Sequence, residues 1–162
     1  MSVYEDKDLQ KHCELRNEHE LTSDNLLIKF ISTYYPNTYD VYRTTYQWER
    51  YDYKIENTSK STSTKVEFKQ RDFSIEDYNQ YKTEGFALSI SKLNNCDVIL
   101  YYINTTNELL HIRTDKVKQL LEEKKLKVVE RNVYRYQYAK NKGKHIEKLV
   151  LIPIQYWKVY NL

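Results

Sequence analysis

The run CDVILYYIN at residues 96–104 constrains the fold of this 162-residue chain more than any other segment. From Val98 to Ile103 every residue is apolar or aromatic, so no alternation divides a wet side from a dry one. A strand with that pattern is buried on both faces, as at the centre of a covered sheet. ELLHIRT follows after a short polar gap and reads as its hairpin neighbour.

The rest of the chain supplies further strands and the covering helices. Leu26, Leu27, Phe30, Ile31 and Tyr34 recur at helical spacing, with Ser23 placed as an N-cap and Pro36 as a stop. Residues 5 to 20 are charged and fit either an extra helical turn or a loose arm. The stretch YDVYRTTYQWERYDYKIE, 39 to 56, is dense in aromatic and β-branched residues and predicts two strands with a turn near Gln47 to Arg50. A polar loop, NTSKSTS, leads to a third strand in TKVEFKQRD, giving three antiparallel strands after the first helix. Residues 74 to 94 fit a helix through Phe86, Ile90 and Leu93, or a strand through Phe86, Leu88 and Ile90; the helix is preferred. Thr114 is placed as the cap of a helix from about Asp115 to Lys125. The tail predicts a strand from Val128 to Tyr138, an AKNKGK turn and a strand through LVLIPI. The expected fold class is α/β, a mixed central β-sheet flanked by helices. With no repeat and no linker, residues 1–162 are expected to form one domain, since a chain of this length suits one core.

Composition removes several classes of function. Seventeen tyrosines set this chain apart from disordered sequences, which are poor in aromatic residues. No run approaches the ~18 apolar residues of a membrane span, and the polar start MSVYEDKDLQ carries no apolar signal core, so a cytoplasmic location without a membrane partner is expected. If the chain is phage-encoded, that is the cytoplasm of the bacterial host. Cys13 and Cys96 stand far apart and outside zinc-ligand spacing. Two glycines, Gly85 and Gly143, are too few for a Gly-rich phosphate loop, which removes NTP hydrolysis and dinucleotide binding. The net charge of +3 permits a polyanionic partner without demanding one.

The residues that carry chemistry lie on the second and third strands. In KVEFKQRD, Val66 and Phe68 point to one face while Glu67 and Lys69 point to the other. Asp52 sits on the preceding strand, from which a hairpin brings it beside Glu67, in the pattern D-x14-E-x-K. Hydrolysing a phosphodiester needs a divalent metal on oxygen ligands, an activated water and positive charge for the pentavalent transition state. Two acids and a lysine supply these. An E-x-K alone is more often a solvated strand face with a weak ion pair. The upstream acidic strand, the preceding amphipathic helix and the following buried strand give this one more weight.

In these residues and in the order of elements, roughly Asp24 to Ile103 resembles the PD-(D/E)XK nuclease superfamily, which includes restriction enzymes, Holliday-junction resolvases and phage nucleases. The resemblance implies a restriction-endonuclease-like fold and a metal-dependent DNA endonuclease using Mg2+ or Mn2+. It makes Asp52 and Glu67 the metal ligands, with Lys69 orienting the water or stabilising charge. Tyr51 stands where the family often has proline. Asp24 in SDNLLIKF matches the acid that the family often places in its first helix and would be a further metal ligand, with Glu20 its rival. Gln70 and Arg71 resemble polar residues that extend the motif, Gln70 as a catalytic helper and Arg71 towards nucleic acid. Lys92 in EGFALSISKLNN matches a lysine that one phage and bacterial branch carries on the following helix. The resemblance also allows a homodimer, as in relatives that cut both strands.

Ordinary readings stand beside these. Asp24 also suits the first turn of a helix, where the dipole favours an acid. Arg131 and Arg135 share a face of a tyrosine-rich strand, and Lys140, Lys142 and Lys144 crowd the next turn, so the hairpin either tracks phosphates or is a soluble edge kept from pairing by its lysines. His12, His19, His111 and His145 are scattered and share no metal spacing. Two other functions are carried forward: a nucleic-acid-binding protein with a nuclease-like fold but no catalysis, and a phage structural or interaction protein in which the D, E and K set is incidental.

Overall fold

The computed structural model describes residues 3–5, 18–35, 39–44, 51–57, 59–134 and 144–162. In chain order these form β1 (Val3–Glu5), α1 (Glu18–Tyr34), β2 (Tyr39–Arg43), β3 (Tyr53–Asn57), β4 (Thr62–Arg71), α2 (Ile75–Glu84) and β5 (Phe86–Ser89). A short 3-10 helix, Ile90–Asn94, leads to β6 (Val98–Ile103), β7 (Glu108–Arg113), α3 (Thr114–Glu122), β8 (Lys127–Tyr134), β9 (Lys144–Ile152) and β10 (Lys158–Asn161). Seven strands make a mixed sheet in the order β1-β2-β3-β4-β6-β7-β10, and β5-β9-β8 make a second sheet of three. The fold is mixed α/β. None of its described helices is long and apolar enough to cross a membrane.

β6 sits where its apolar run requires, with all six residues buried. It pairs parallel to β4 and antiparallel to β7. Val98, Leu100 and Tyr102 join a core with Leu27, Phe30 and Ile31 of α1. Ile99, Tyr101 and Ile103 face the opposite core, built with Val117 and Leu120 of α3, Tyr78 of α2, and Phe86, Leu88, Val150 and Ile152 of the small sheet. Each such side chain stabilises the fold by about 1.5 to 3 kcal/mol through burial, and β6 contributes to two cores at once.

The link between α2 and the small sheet is set by one glycine. Ser74 caps α2 by accepting a hydrogen bond from the Asp77 amide at 3.1 Å, and Glu76 and Asp77 add negative charge to its first turn. The helix ends at Gly85, whose φ of +113° lies outside the range of ordinary L residues. A Cβ there would stand 2.6 Å from the Ile152 backbone nitrogen. The chain can therefore turn directly into β5, with Phe86 opposite Ile152.

Several sequence expectations need correction. Residues 74 to 94 are not one helix: α2 stops at Glu84, and Phe86–Ser89 pair with β9, a strand some sixty residues later whose influence no local periodicity displays. Ser23 lies inside α1 instead of capping it, because the helix already begins at Glu18. Thr114 is the first residue of α3, and its hydroxyl donates to the Cys96 carbonyl at 2.9 Å instead of capping. That helix ends at Glu122, ahead of Lys124 with its positive φ of 57°. The predicted Val128–Tyr138 strand is Lys127–Tyr134 as described, and the LVLIPI strand begins earlier, at Lys144. Pro36, the turn near Gln47 to Arg50, and Arg135, Lys140 and Lys142 lie outside the described residues.

Candidate active site

The site grows from the alternation of β4. Val66 and Phe68 enter the α1 core, so Glu67, Lys69 and Arg71 point to the other face. The hairpin register puts Tyr53 opposite Val66, which places Asp52, one residue before β3, across from Glu67. Two hydrogen bonds hold Asp52 there: its amide donates to the Val66 carbonyl at 2.9 Å, and its Oδ2 accepts from the Phe68 amide at 2.7 Å. Both anchors are backbone groups of the residues flanking Glu67. The position of Asp52 is thus fixed by the strand itself.

Glu67 is only 4% exposed. Its Oε1 lies 3.4 Å from the Lys69 ammonium and 3.4 Å from that of Lys92. Its Oε2 is buried with no hydrogen-bond partner. Buried carboxylate oxygens are seldom left in that condition, because removal from water is costly unless a donor or a cation replaces it. Lys92 arrives on the 3-10 helix after β5, and its carbonyl accepts from the Asn95 amide at 3.1 Å.

The charges of this cluster perturb one another. Burial, and next the charge of Glu67, raise the Asp52 carboxyl from its ordinary 3.8 to about 6, against the opposing pull of the Phe68 amide, Lys69 and Lys92. The nearby Cys96 thiol is pushed up to about 11, mainly by burial and then by Glu67. Two acids facing each other in a partly dry site are held in check by two lysines.

Asp24 and Gln70 do not join this cluster. Asp24 is buried on the α1 side, where it pairs with Arg43 and accepts a hydrogen bond from the Tyr53 hydroxyl at 2.6 Å. Burial, and next the Asp24 carboxylate, hold that phenol well above its usual range. Gln70 points the same way as Val66 and Phe68, and its Nε2 donates to the Ser23 hydroxyl at 2.5 Å. Strand parity turns Gln70 away from Glu67, and Asp24 sits on α1, which covers that opposite face.

Beside the cluster, between the two sheets, opens a cleft of about 330 Å3 whose lining includes Lys69, Lys92, Arg71 and Arg131. The Arg71 guanidinium lies over the Tyr101 ring, 5.5 Å from its centre, and donates to the Gln70 carbonyl at 2.8 Å. Arg131 donates to Glu147 at 2.9 Å. Sequence reasoning missed Glu147. It lines the cleft, where the Ser89 hydroxyl first and also Arg131 and Lys69 lower its carboxyl. The available signal was its phase in IEKLVLI, in step with Leu149 and Leu151, which line the same cleft. Lys144 opens β9.

A divalent cation is implied by the resemblance in the sequence, and the donors present suit one: oxygen atoms, one of them orphaned and buried. Among the described residues no group of three His, Cys, Asp or Glu side chains converges on one metal position, so Asp52 and Glu67 are the pair on offer.

No family model matches the chain, and no curated protein matches it. Among solved structures it resembles a nuclease from a fusselovirus, with a TM-score of 0.51 over 85% of this chain and 81% of the other. The chain has the fold of a viral nuclease. The two sequences are 17% identical, so the fold is what this likeness carries.

Proposed function

We propose that the protein is a metal-dependent DNA endonuclease of the PD-(D/E)XK type. The observation that carries this reading is Glu67: a buried carboxylate with one oxygen unpartnered and the other between two lysines, directly across from Asp52. The likeness in fold to a viral nuclease supports it. Asp52 and Glu67 would hold Mg2+ or Mn2+, and a bound cation would offset both the burial and, after it, the Glu67 charge that raise the Asp52 carboxyl. Bound there, the ion would supply Lewis-acid charge and a more acidic water.

The chain's own residues account for the remaining work. Lys69 and Lys92 both reach Glu67 Oε1, so each stands where a scissile phosphate would gather negative charge as it becomes pentavalent. Fixed positive charge in a partly dry cleft is worth more there than in water. Phe68 acts through its amide, which aims Asp52, and Asp24 and Gln70 act by tying α1 to β2, β3 and β4. The partner is DNA, the chain works in the cytoplasm, and a homodimer would let two such sites cut both strands.

Cleavage of a labelled DNA substrate with and without Mg2+ or Mn2+ tests the reading. Glu67→Gln is expected to abolish cutting while leaving the fold intact, since the amide keeps the shape and loses the charge. Parent activity matched by purified Glu67→Gln would overturn it.

A further inference from the structure

The cleft has a composition that the cutting site does not explain. Two cations beyond the lysines around Glu67, Arg71 and Arg131, line it, together with the rings of Phe73 and Tyr81. These two rings are only partly buried, with centres 4.9 Å apart and planes inclined at 57°. Among its described lining residues, four cations face two carboxylates, Glu84 and Glu147, so the space favours an anion. Arg131 is held by Glu147, and Arg71 is stacked on Tyr101; both guanidinium groups are placed in advance of any ligand.

The layout along β4 relates this space to the cutting site. Glu67, Lys69, Arg71 and, just past the strand, Phe73 follow at two-residue steps, about 6 to 7 Å apart in an extended chain. One face therefore presents a carboxylate, two cations and a ring in that order. A volume of about 330 Å3 equals about eleven waters at ~30 Å3 each, and it lies at the lower end of the ~300 to 1,000 Å3 usual for small-ligand sites. That is room for one nucleobase with its sugar and too little for a base pair.

We propose that this cleft binds a single unpaired nucleotide of the DNA substrate, its base against Phe73 and Tyr81 and its phosphates on Arg71 and Arg131, next to the phosphate at Lys69. The inference rests on the nuclease reading for its placement of the scissile phosphate. It deepens that reading by naming the substrate class: DNA with an unpaired base at the cut, in a single strand, an overhang or a gap, in preference to continuous duplex. Aromatic side chains stack on any base, so the cleft selects for an unpaired state and not for sequence.

The test uses the full chain carrying Glu67→Gln, so that substrate survives, and DNA with 2-aminopurine either in a short overhang or at the same position in a blunt duplex. Overhang DNA is expected to bind about tenfold more tightly and to change the probe's emission on binding. Tyr81→Ala should remove the emission change and about tenfold of the affinity for the overhang, while leaving blunt duplex binding unaltered. Because Phe73 also packs on Phe86 and Tyr101, Phe73→Leu serves as the second variant, with a smaller loss in the same direction. Equal affinity for the two DNAs, or an overhang signal indifferent to Tyr81, would overturn the proposal. Glu67-dependent cutting without any Tyr81 effect removes the cleft alone. A Tyr81-dependent signal with no metal-dependent cutting by the parent removes the nuclease reading and leaves the cleft as a nucleotide site.

Discussion

The two faces of β4 bury polar side chains under opposite conditions. On the α1 side, Gln70 bonds Ser23, and Asp24 is engaged by Arg43 and Tyr53. On the other side Glu67 keeps an oxygen without a partner, and Asp52 is driven towards protonation by burial and by Glu67. One face of β4 thus borders an acid, Asp24, with both carboxylate oxygens engaged, and the other face carries an acid, Glu67, with one oxygen orphaned. Satisfied buried groups hold a fold together, whereas frustrated ones persist where binding or chemistry requires them. Substitutions on the two faces should therefore move different quantities.

The strongest break of that contrast is Glu67→Gln. It should reduce metal-dependent cleavage by at least about 10^3-fold, at the upper end of what removing one transition-state contact does, because the substitution also removes a metal ligand. Its denaturation midpoint should stay near that of the parent or rise. A comparable loss of activity accompanied by unfolding would show instead that Glu67 is structural.

Asp24→Asn should behave in the opposite way. Removing one charge of a buried pair strands the other, at a cost of about 3 to 5 kcal/mol. Urea unfolding monitored by circular dichroism should show that loss, while activity per folded molecule changes little. If the variant folds as well as the parent yet fails to cut, Asp24 belongs with the metal ligands after all.

Asp52→Asn sharpens the comparison through pH. The folded chain holds the Asp52 proton more tightly than the unfolded chain, with a carboxyl at about 6 instead of 3.8. The stability contributed by this group is therefore complete below 3.8 and is lost as pH rises through about 6. A neutral asparagine escapes that loss and can still accept from the Phe68 amide. In metal-free buffer at pH 8 the variant should be more stable than the parent by about 1 to 3 kcal/mol. The difference should shrink towards pH 4, and added Mg2+ should stabilise the parent alone. A variant less stable than the parent at pH 8 would place Asp52 among the satisfied residues.

The same contrast separates what the sequence made legible from what it did not. Alternation in KVEFKQ and the apolar run of β6 are local patterns, so the orientation of Glu67 and Lys69 and the buried centre of the sheet could be read directly. Asp52 needed only a hairpin register, which short-range pairing sets. Glu147 reaches the cleft, and Phe86–Ser89 become a strand, only because β5 meets β9 across the fold. That meeting depends on the close approach of Gly85 to Ile152, which a lone glycine in the sequence does not disclose. Asp24 was placed beside an N-cap, but α1 begins at Glu18, so the residue falls within the helix and meets Arg43 and Tyr53 instead.

The smallest expected effect belongs to Arg131, which lies at the rim of the cleft and so tests how far the frustrated face extends. Its pair with Glu147 is formed by an exposed guanidinium, and exposed ion pairs contribute at most about 1 kcal/mol to stability. Arg131→Ala should accordingly leave the unfolding midpoint almost unmoved. If Arg131 contacts one phosphate, its loss should lower the slope of log affinity against log salt by about 0.7 for a single strand and about 0.9 for duplex DNA. Affinity should fall only a few-fold at moderate salt, and the parent and variant curves should converge as salt rises. Measuring binding by the Glu67→Gln chain across a salt series, with and without Arg131→Ala, reads this directly. Parallel lines would take Arg131 off the binding surface and end the cationic track at Arg71.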